Sequence, residues 1–149
     1  MRAVVQRVSS ASVSVDGQTI GSIGRGLMVL ICVVNDDTEG DLDLMVRKIS
    51  NMRIFDDDEG VMNRSVIDVE GNVLAISQFT LAASVKKGNR PSYIAAAGHD
   101  KAVPMYEEFC RRMSQAIGRP VETGRFGADM KVALVNDGPV TIIVDTKNM

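Results

Sequence analysis

Near the C-terminus, Asn136-Asp137-Gly138-Pro139-Val140-Thr141 separates two apolar, β-rich runs, Lys131–Val135 and Val140–Val144. Asp-Gly between two such runs is a strong short-range hairpin signal, so this end of the chain is expected to pair antiparallel. Pro139 makes the turn unusual. It fixes its own φ, offers no N–H to a ladder, and drives Gly138 out of the α region. Within a sheet, proline is confined to an edge, a first strand residue or a bulge. Two readings fit: a hairpin turn whose second strand opens on proline, or a stiff length of backbone aimed at a ligand or partner.

The rest of the chain is rich in strand signals. Met1–Val8 alternates as a strand, and Ser10–Asp16 does so more cleanly, with Ala11, Val13 and Val15 on one face. Asp16-Gly17 predicts a turn into Gln18–Ile23. Gly24-Arg25-Gly26 interrupts the chain before Leu27–Val34, an unalternating apolar run that suits a strand buried on both faces. The Gly-x-Gly has no third glycine and no helix after it, so nucleotide binding is discounted. Thr38 is expected to cap a helix running to about Asn51, with Asn35 and Asp37 as other caps. Leu42, Met45, Val46, Ile49 and Met52 form its apolar stripe.

Asp56–Gly60 lacks the glycine and glutamate spacing of a calcium loop and reads as an acidic turn. Val61–Val69 and Asn72–Leu81 are expected to pair around Glu70-Gly71. Residues 82–98 read as a long polar and basic loop. A second helix is predicted from near Val103-Pro104, with Tyr106, Phe109, Cys110, Met113 and Ile117 inward and Gly118-Arg119-Pro120 as its stop. The pattern is that of one α/β domain over residues 1–149, strand-rich, with two main helices.

Composition removes several classes of function. Cys32 and Cys110 have neither metal nor redox spacing and read as free thiols of a reducing compartment. No signal-peptide pattern opens the chain, and the longest apolar run is too short to span a bilayer, so a cytoplasmic protein is expected. A net charge of −2 argues against broad nucleic-acid binding. Base is nevertheless gathered at Lys86-Lys87-Gly88-Asn89-Arg90, at Arg111-Arg112, and along Arg119, Arg125 and Lys131. Of these, Lys86, Lys87 and Arg90 are the first candidates to meet phosphate.

Nucleophilic catalysis needs a base beside its Ser, Thr or Cys, and the chain has one histidine, His99, in a polar loop sequence. A catalytic triad through it is not expected. One histidine and no paired cysteines leave little for a metal, so no metal or cofactor is expected either. What remains is a site of hydroxyls, amides and backbone. If Ser77–Leu81 is strand, then Ser77, Phe79 and Leu81 share one face and Gln78 and Thr80 the other.

Three stretches carry a resemblance that spacing alone does not give. Ser77-Gln78-Phe79-Thr80-Leu81, Gly127-Ala128-x-Met130-x-Val132 and Asn136–Thr141 together resemble the D-aminoacyl-tRNA deacylases, also called D-tyrosyl-tRNA deacylases. Ala3–Val8 and Met45–Ile49 are similar as well, and the resemblance runs nearly end to end. It implies a barrel-like layer of mixed and antiparallel sheet with two helices, completed by dimerisation. It implies hydrolysis of the ester between a D-amino acid and the 3′ end of tRNA, by a homodimer in which a cis Gly-Pro peptide enters the partner's site. By this resemblance Ser77, Gln78, Phe79 and Thr80 form the catalytic strand end, with main-chain N–H groups of Phe79 and Thr80 as an oxyanion hole. Gly138, Pro139 and Met130 would meet the substrate. Two other readings of the sequence stay open: a non-catalytic RNA-binding dimeric protein, and a Ser/Thr amidase acting on small peptides.

Overall fold

In the computed structural model, which describes residues 1–149, the first two expected strands are one. β1 runs unbroken from Arg2 to Val15. Ala3, Val5 and Arg7 point inward in its first half and Ala11, Val13 and Val15 in its second, so alternation holds at both ends. The ladder slips around Val8, where the strand passes from one core to another. Asp16-Gly17 turns with φ of +51° and +78°, and β2 (Gln18–Ile23) returns beside the second half of β1. β3 (Gly26–Cys32) continues in the same direction beside the first half. A Cβ at Gly26 would stand 1.8 Å from the Asn72 carbonyl oxygen. The second glycine of the Gly-x-Gly therefore marks a close backbone crossing, while Gly24 meets nothing within 4 Å.

α1 (Glu39–Asn51) begins after Thr38, as the apolar stripe predicts. Thr38 N–H donates to the Asp41 carboxylate at 2.9 Å, and Leu42, Met45 and Ile49 are buried. The acidic turn joins β4 (Phe55–Asp56) to β5 (Met62–Arg64). The expected pairing of Val61–Val69 with Asn72–Leu81 does not form. β6 (Asn72–Ser77) lies parallel to β3 instead, because only a strand buried on both faces matches its own run of buried residues.

α2 (His99–Ile117) starts four residues ahead of its predicted position, and Pro104 sits inside it. The bond that proline forfeits would have reached Asp100, an exposed residue whose carbonyl water can serve. Gly118, at φ +75°, closes it. β7 (Glu122–Thr123) adds parallel to β6 and curls back to β2, where Ser22 N–H reaches the Glu122 carboxylate at 3.4 Å.

The last strand corrects the opening expectation. Lys131–Val135 and Val140–Val144 do not form a hairpin. They belong to one strand, β8 (Lys131–Asp145), and both halves pair antiparallel with β1. A 14-residue β1 is long enough to take both, and Asn136–Val140 is a bulge opposite Arg7. β8 pairs with no other strand and borders the sheet.

The result is a mixed sheet curled into a nearly closed barrel, with both helices on one side. Alternate residues of β3 and β6 serve two cores. Leu27, Val29, Ile31, Val73 and Ala75 face the helices, with Met45, Ile49, Phe109 and Met113 against them. Met28, Leu74 and Ile76 fill the barrel with Val8, Val13 and Ile23. The Tyr106 hydroxyl donates to the Ala75 carbonyl at 2.7 Å, tying α2 to the sheet.

The terminal segments are joined by charge. The Met1 ammonium is buried against Asp37 and donates to Thr146 Oγ1 at 2.8 Å. Thr146 Oγ1 in turn donates to Asp41 at 2.7 Å, and Lys147 reaches Asp41 at 2.8 Å. Burial pushes the Asp41 carboxyl up, but Lys147, Thr146 and Thr38 outweigh it and hold the group well below the usual range. A depressed native value means stability that is present above the ordinary 3.8 and is lost as pH falls toward the native titration. Asp41→Asn is therefore expected to lower the thermal midpoint at pH 7, and the gap to the parent should narrow below pH 3.8. A gap that stays constant with pH would remove Asp41 from this role.

Candidate active site

β3 and β6 lie side by side and parallel, and a cleft opens beyond their carboxyl ends, the usual place for a ligand on parallel strands. Its volume is about 620 Å³, within the range of small-molecule sites. Ser77, Gln78 and Phe79 form one wall, and Gly127, Ala128, Met130 and Val132 another. Tyr93, His99 and Phe126 also line it. A larger groove of about 770 Å³ lies between α1 and β8, but none of the expected site residues line it.

The expectation that Ser77–Leu81 is strand throughout fails after Ser77. Gln78 N–H still reaches the Ile31 carbonyl at 2.8 Å, but β3 ends at Cys32 and offers no further partner. Phe79–Ala82 therefore winds into a single 3-10 turn, and the alternate-face assignment of Phe79, Thr80 and Leu81 is lost. The first bond of the turn is Leu81 N–H to the Gln78 carbonyl, at 3.3 Å. The N–H groups of Phe79 and Thr80 precede that bond and have no carbonyl within the turn. Phe79 lines the cleft, and Thr80 stands one residue beyond its wall.

The turn is held from three sides. The Arg2 guanidinium donates to the Leu81 carbonyl at 3.0 Å. The Cys32 thiol lies 3.6 Å from the Phe79 carbonyl, and burial raises that thiol above its ordinary range despite nearby Arg2. A neutral buried thiol is a brace rather than a nucleophile. Gln78 Nε2 donates to Thr80 Oγ1 at 2.6 Å. Thr80 is not itself among the residues lining the cleft, and no base is hydrogen-bonded to its hydroxyl.

His99 was expected in a loop. It is the first residue of α2 and lines the cleft, its ring edge-on to Phe126 with centroids 5.2 Å apart. Sequence reasoning missed this placement, because the helix start was set by Pro104.

Gly138 and Pro139 do not line the cleft of their own chain. They follow Met130 by roughly 25 Å of strand. Their peptide bond is cis. Gly138 has φ +150°, and a Cβ there would stand 2.7 Å from Val140 N. No other residue fits. Val140 N–H donates to Asn136 Oδ1 at 2.8 Å, and Asn136 Nδ2 to Thr141 Oγ1 at 3.1 Å. Arg7 anchors the bulge from below. It is 8% exposed, and donates to the Asp137 carbonyl and the Ile54 carbonyl at 2.8 Å each.

The class so defined is a small mixed barrel whose cleft is walled by a strand end, a 3-10 turn and aromatic rings. Comparison with known proteins narrows that class. The model of the D-Tyr-tRNA(Tyr) deacylase family matches residues 4–145, and the chain belongs to that family. A D-aminoacyl-tRNA deacylase of Bacteroides fragilis (strain YCH46) is 57% identical over 148 residues, 99% of either chain. One from Parabacteroides distasonis is 56% identical over the same share of each. A solved structure described as "c-Myc DNA Unwinding Element Binding Protein" superposes with a TM-score of 0.92 at 44% identity, over 97% of this chain and 98% of that one. Another, of a probable eukaryotic D-amino acid tRNA deacylase, shares the fold with a TM-score of 0.83 at 21% identity, over 96% and 97%.

Arg7→Met keeps the apolar stem but leaves two carbonyls without their donor, at a cost of about 2–4 kcal/mol. The expected result is a lower urea midpoint with an unchanged slope. An unchanged midpoint would mean that the bulge does not depend on Arg7.

Proposed function

We propose that the chain hydrolyses the ester joining a D-amino acid to the 3′ end of tRNA, releasing both. The observation that carries this reading is the family match across residues 4–145, on a chain whose cleft is walled by Ser77, Gln78 and Phe79. Water attacks the ester carbonyl, and the main-chain N–H groups of Phe79 and Thr80 hold the oxyanion that develops. Collapse breaks the bond to the ribose oxygen, which takes the proton. The neighbouring ribose hydroxyl of the substrate assists that transfer, because Thr80 has no hydrogen-bonded base. Ser77 and Gln78 support the turn, and Thr80 Oγ1, already an acceptor from Gln78, orients rather than attacks. This chemistry calls for no metal or cofactor, and it is placed in the cytoplasm, where charged tRNA is used.

The enzyme acts as a homodimer in this reading. Gly138 and Pro139 stand too far along β8 to wall their own cleft, so a second copy supplies them, with Met130 on the near side. Side-chain pockets discriminate poorly, since one methylene is worth only about 1–3 kcal/mol. A rigid backbone wall at the place where an L side chain leaves Cα excludes all sizes alike. Pro139 supplies the stiffness, and Gly138 removes the Cβ that would block the approach.

The structural relative described as a DNA-binding protein favours a second reading, a non-catalytic nucleic-acid-binding dimer. Incubation with D-aminoacyl-tRNA separates the two: persistence of the ester under excess enzyme overturns the first.

Thr80→Ala is expected to keep substantial activity in single-turnover assays with D-aminoacyl-tRNA. A fall in kcat of order 10⁴ with unchanged tRNA binding would make Thr80 a nucleophile.

Glycine carries no side chain to strike the wall. Glycyl-tRNA should therefore be hydrolysed measurably, L-alanyl-tRNA spared, and D-residues of many sizes accepted. Rapid cleavage of L-alanyl-tRNA, or full protection of glycyl-tRNA, would sink the wall.

A further inference from the structure

Between Glu70 and Asp100 the chain has no acidic residue, although its formal net charge is −2. Three cations lie in that stretch, Lys86, Lys87 and Arg90; none is in an ion pair, as is true also of Arg25, Arg47, Lys48, Arg53, Lys101, Arg119 and Arg125. Residues 84–95 are exposed without exception. Such a segment would be unremarked surface were it not for how it is mounted. Ser84 and Ser92 exchange both backbone bonds at 2.8 Å, closing residues 85–91 into an arm with Gly88 (φ +73°) at its tip. The arm's first foot follows directly from the 3-10 turn, where Ala83 N–H reaches the Thr80 carbonyl at 3.1 Å.

The second foot is pinned to the segment after β3. Asn35 donates from its side chain to the Ile94 carbonyl at 2.7 Å and from its backbone to the Ala95 carbonyl at 3.0 Å. Between the feet, Tyr93 sits edge-on to Phe79 with centroids 5.2 Å apart. Both rings line the cleft and both stay exposed, at 40% and 56%. The arm thus rises from the rim of the cleft, for about 13 Å to its tip. Its base carries aromatic rings and its length carries unpaired cations.

Aromatic faces combined with a cationic track are the chemistry of single-stranded nucleic acid, where bases stack and phosphates are neutralised. A duplex presents no free base faces to Tyr93. We infer that the 84–95 arm and Tyr93 bind the unpaired 3′ tail of the RNA, just ahead of the esterified nucleotide in the cleft. This rests on the deacylase reading for the identity of the RNA. The arm supplies binding and direction of approach, and takes no part in the ester chemistry.

The test uses the parent protein, a Lys86→Ala/Lys87→Ala/Arg90→Ala variant, Tyr93→Ala and Tyr93→Phe. Three probes are compared: D-aminoacyl-tRNA, an uncharged minihelix with its single-stranded tail, and a D-aminoacyl ester of adenosine. The triple variant should bind the minihelix more weakly and flatten its log K against log salt slope by about two units, at roughly 0.7 per single-strand phosphate. Tyr93→Ala should weaken minihelix binding by about tenfold, and Tyr93→Phe should restore it. The triple variant, whose substitutions lie outside the cleft lining, should cleave the adenosine ester at the parent's rate.

An unchanged salt slope in the triple variant overturns the arm as a phosphate track. Loss of adenosine-ester cleavage in the triple variant along with RNA binding overturns it too, by showing that the cleft itself was disturbed. If the parent cleaves no D-aminoacyl ester but arm-dependent minihelix binding persists, the deacylase reading falls and the arm stands.

Discussion

A single guanidinium ties the first strand both to the bulge of the last and to the segment just before β4. Arg7 projects inward from the middle of β1, where an alternating strand would place an aliphatic residue, and its donors reach Ile54 and Asp137. At that level the β1–β8 ladder skips, and Asn136–Val140 swings out of it. Without a buried partner the bulge would be an open loop on a bordering strand. A buried charge is tolerated only when its donors are used, so the bulge and the arginine require each other. β1 is the spine that makes this possible, because it carries β2 and β3 on one side and all of β8 on the other.

The same logic shapes the cleft. β3 stops at Cys32, its continuation bridging Ala96 at Val34, so the backbone that follows Ser77 on β6 finds no further partner there. A 3-10 turn satisfies some of its groups and leaves the first N–H donors outside. Arg2 from β1 and Cys32 from β3 then fix that turn, and Gln78 braces it from its own first position. Where a sheet runs out of partners, unpaired backbone donors accumulate, and here they accumulate at the edge of an apolar cavity.

Local periodicity explains what could be read from the sequence. Leu42, Met45 and Ile49 announce α1, and Tyr106, Phe109 and Met113 announce α2, because helical spacing is decided within a few turns. The double burial of Leu27–Cys32 was equally legible. Pairing partners were not. Asp137-Gly138 carries a strong local turn signal, yet the partner of both flanking runs is β1, at the other end of the chain. Ser77–Leu81 alternates like a strand, but whether it is one depends on where β3 ends. His99 entered the cleft because α2 began earlier than Pro104 suggested. One signal was available and went unused: an arginine in the inward phase of Ala3, Val5 and Arg7 demands a buried acceptor, and so announces a distant contact.

In the proposed reaction the donors at Phe79 and Thr80 are peptide groups, and a site of that kind drifts over generations in its own way. Exchange of either side chain alters shape and contact but leaves the N–H in place for every coded residue except proline. Random substitution can reshape the neighbourhood while the hydrogen-bonding pattern persists, so heredity of the pattern rests on the path of the chain. A lineage could change much of its lettering here without losing the geometry, and it would lose that geometry only when the bracing residues gave way together.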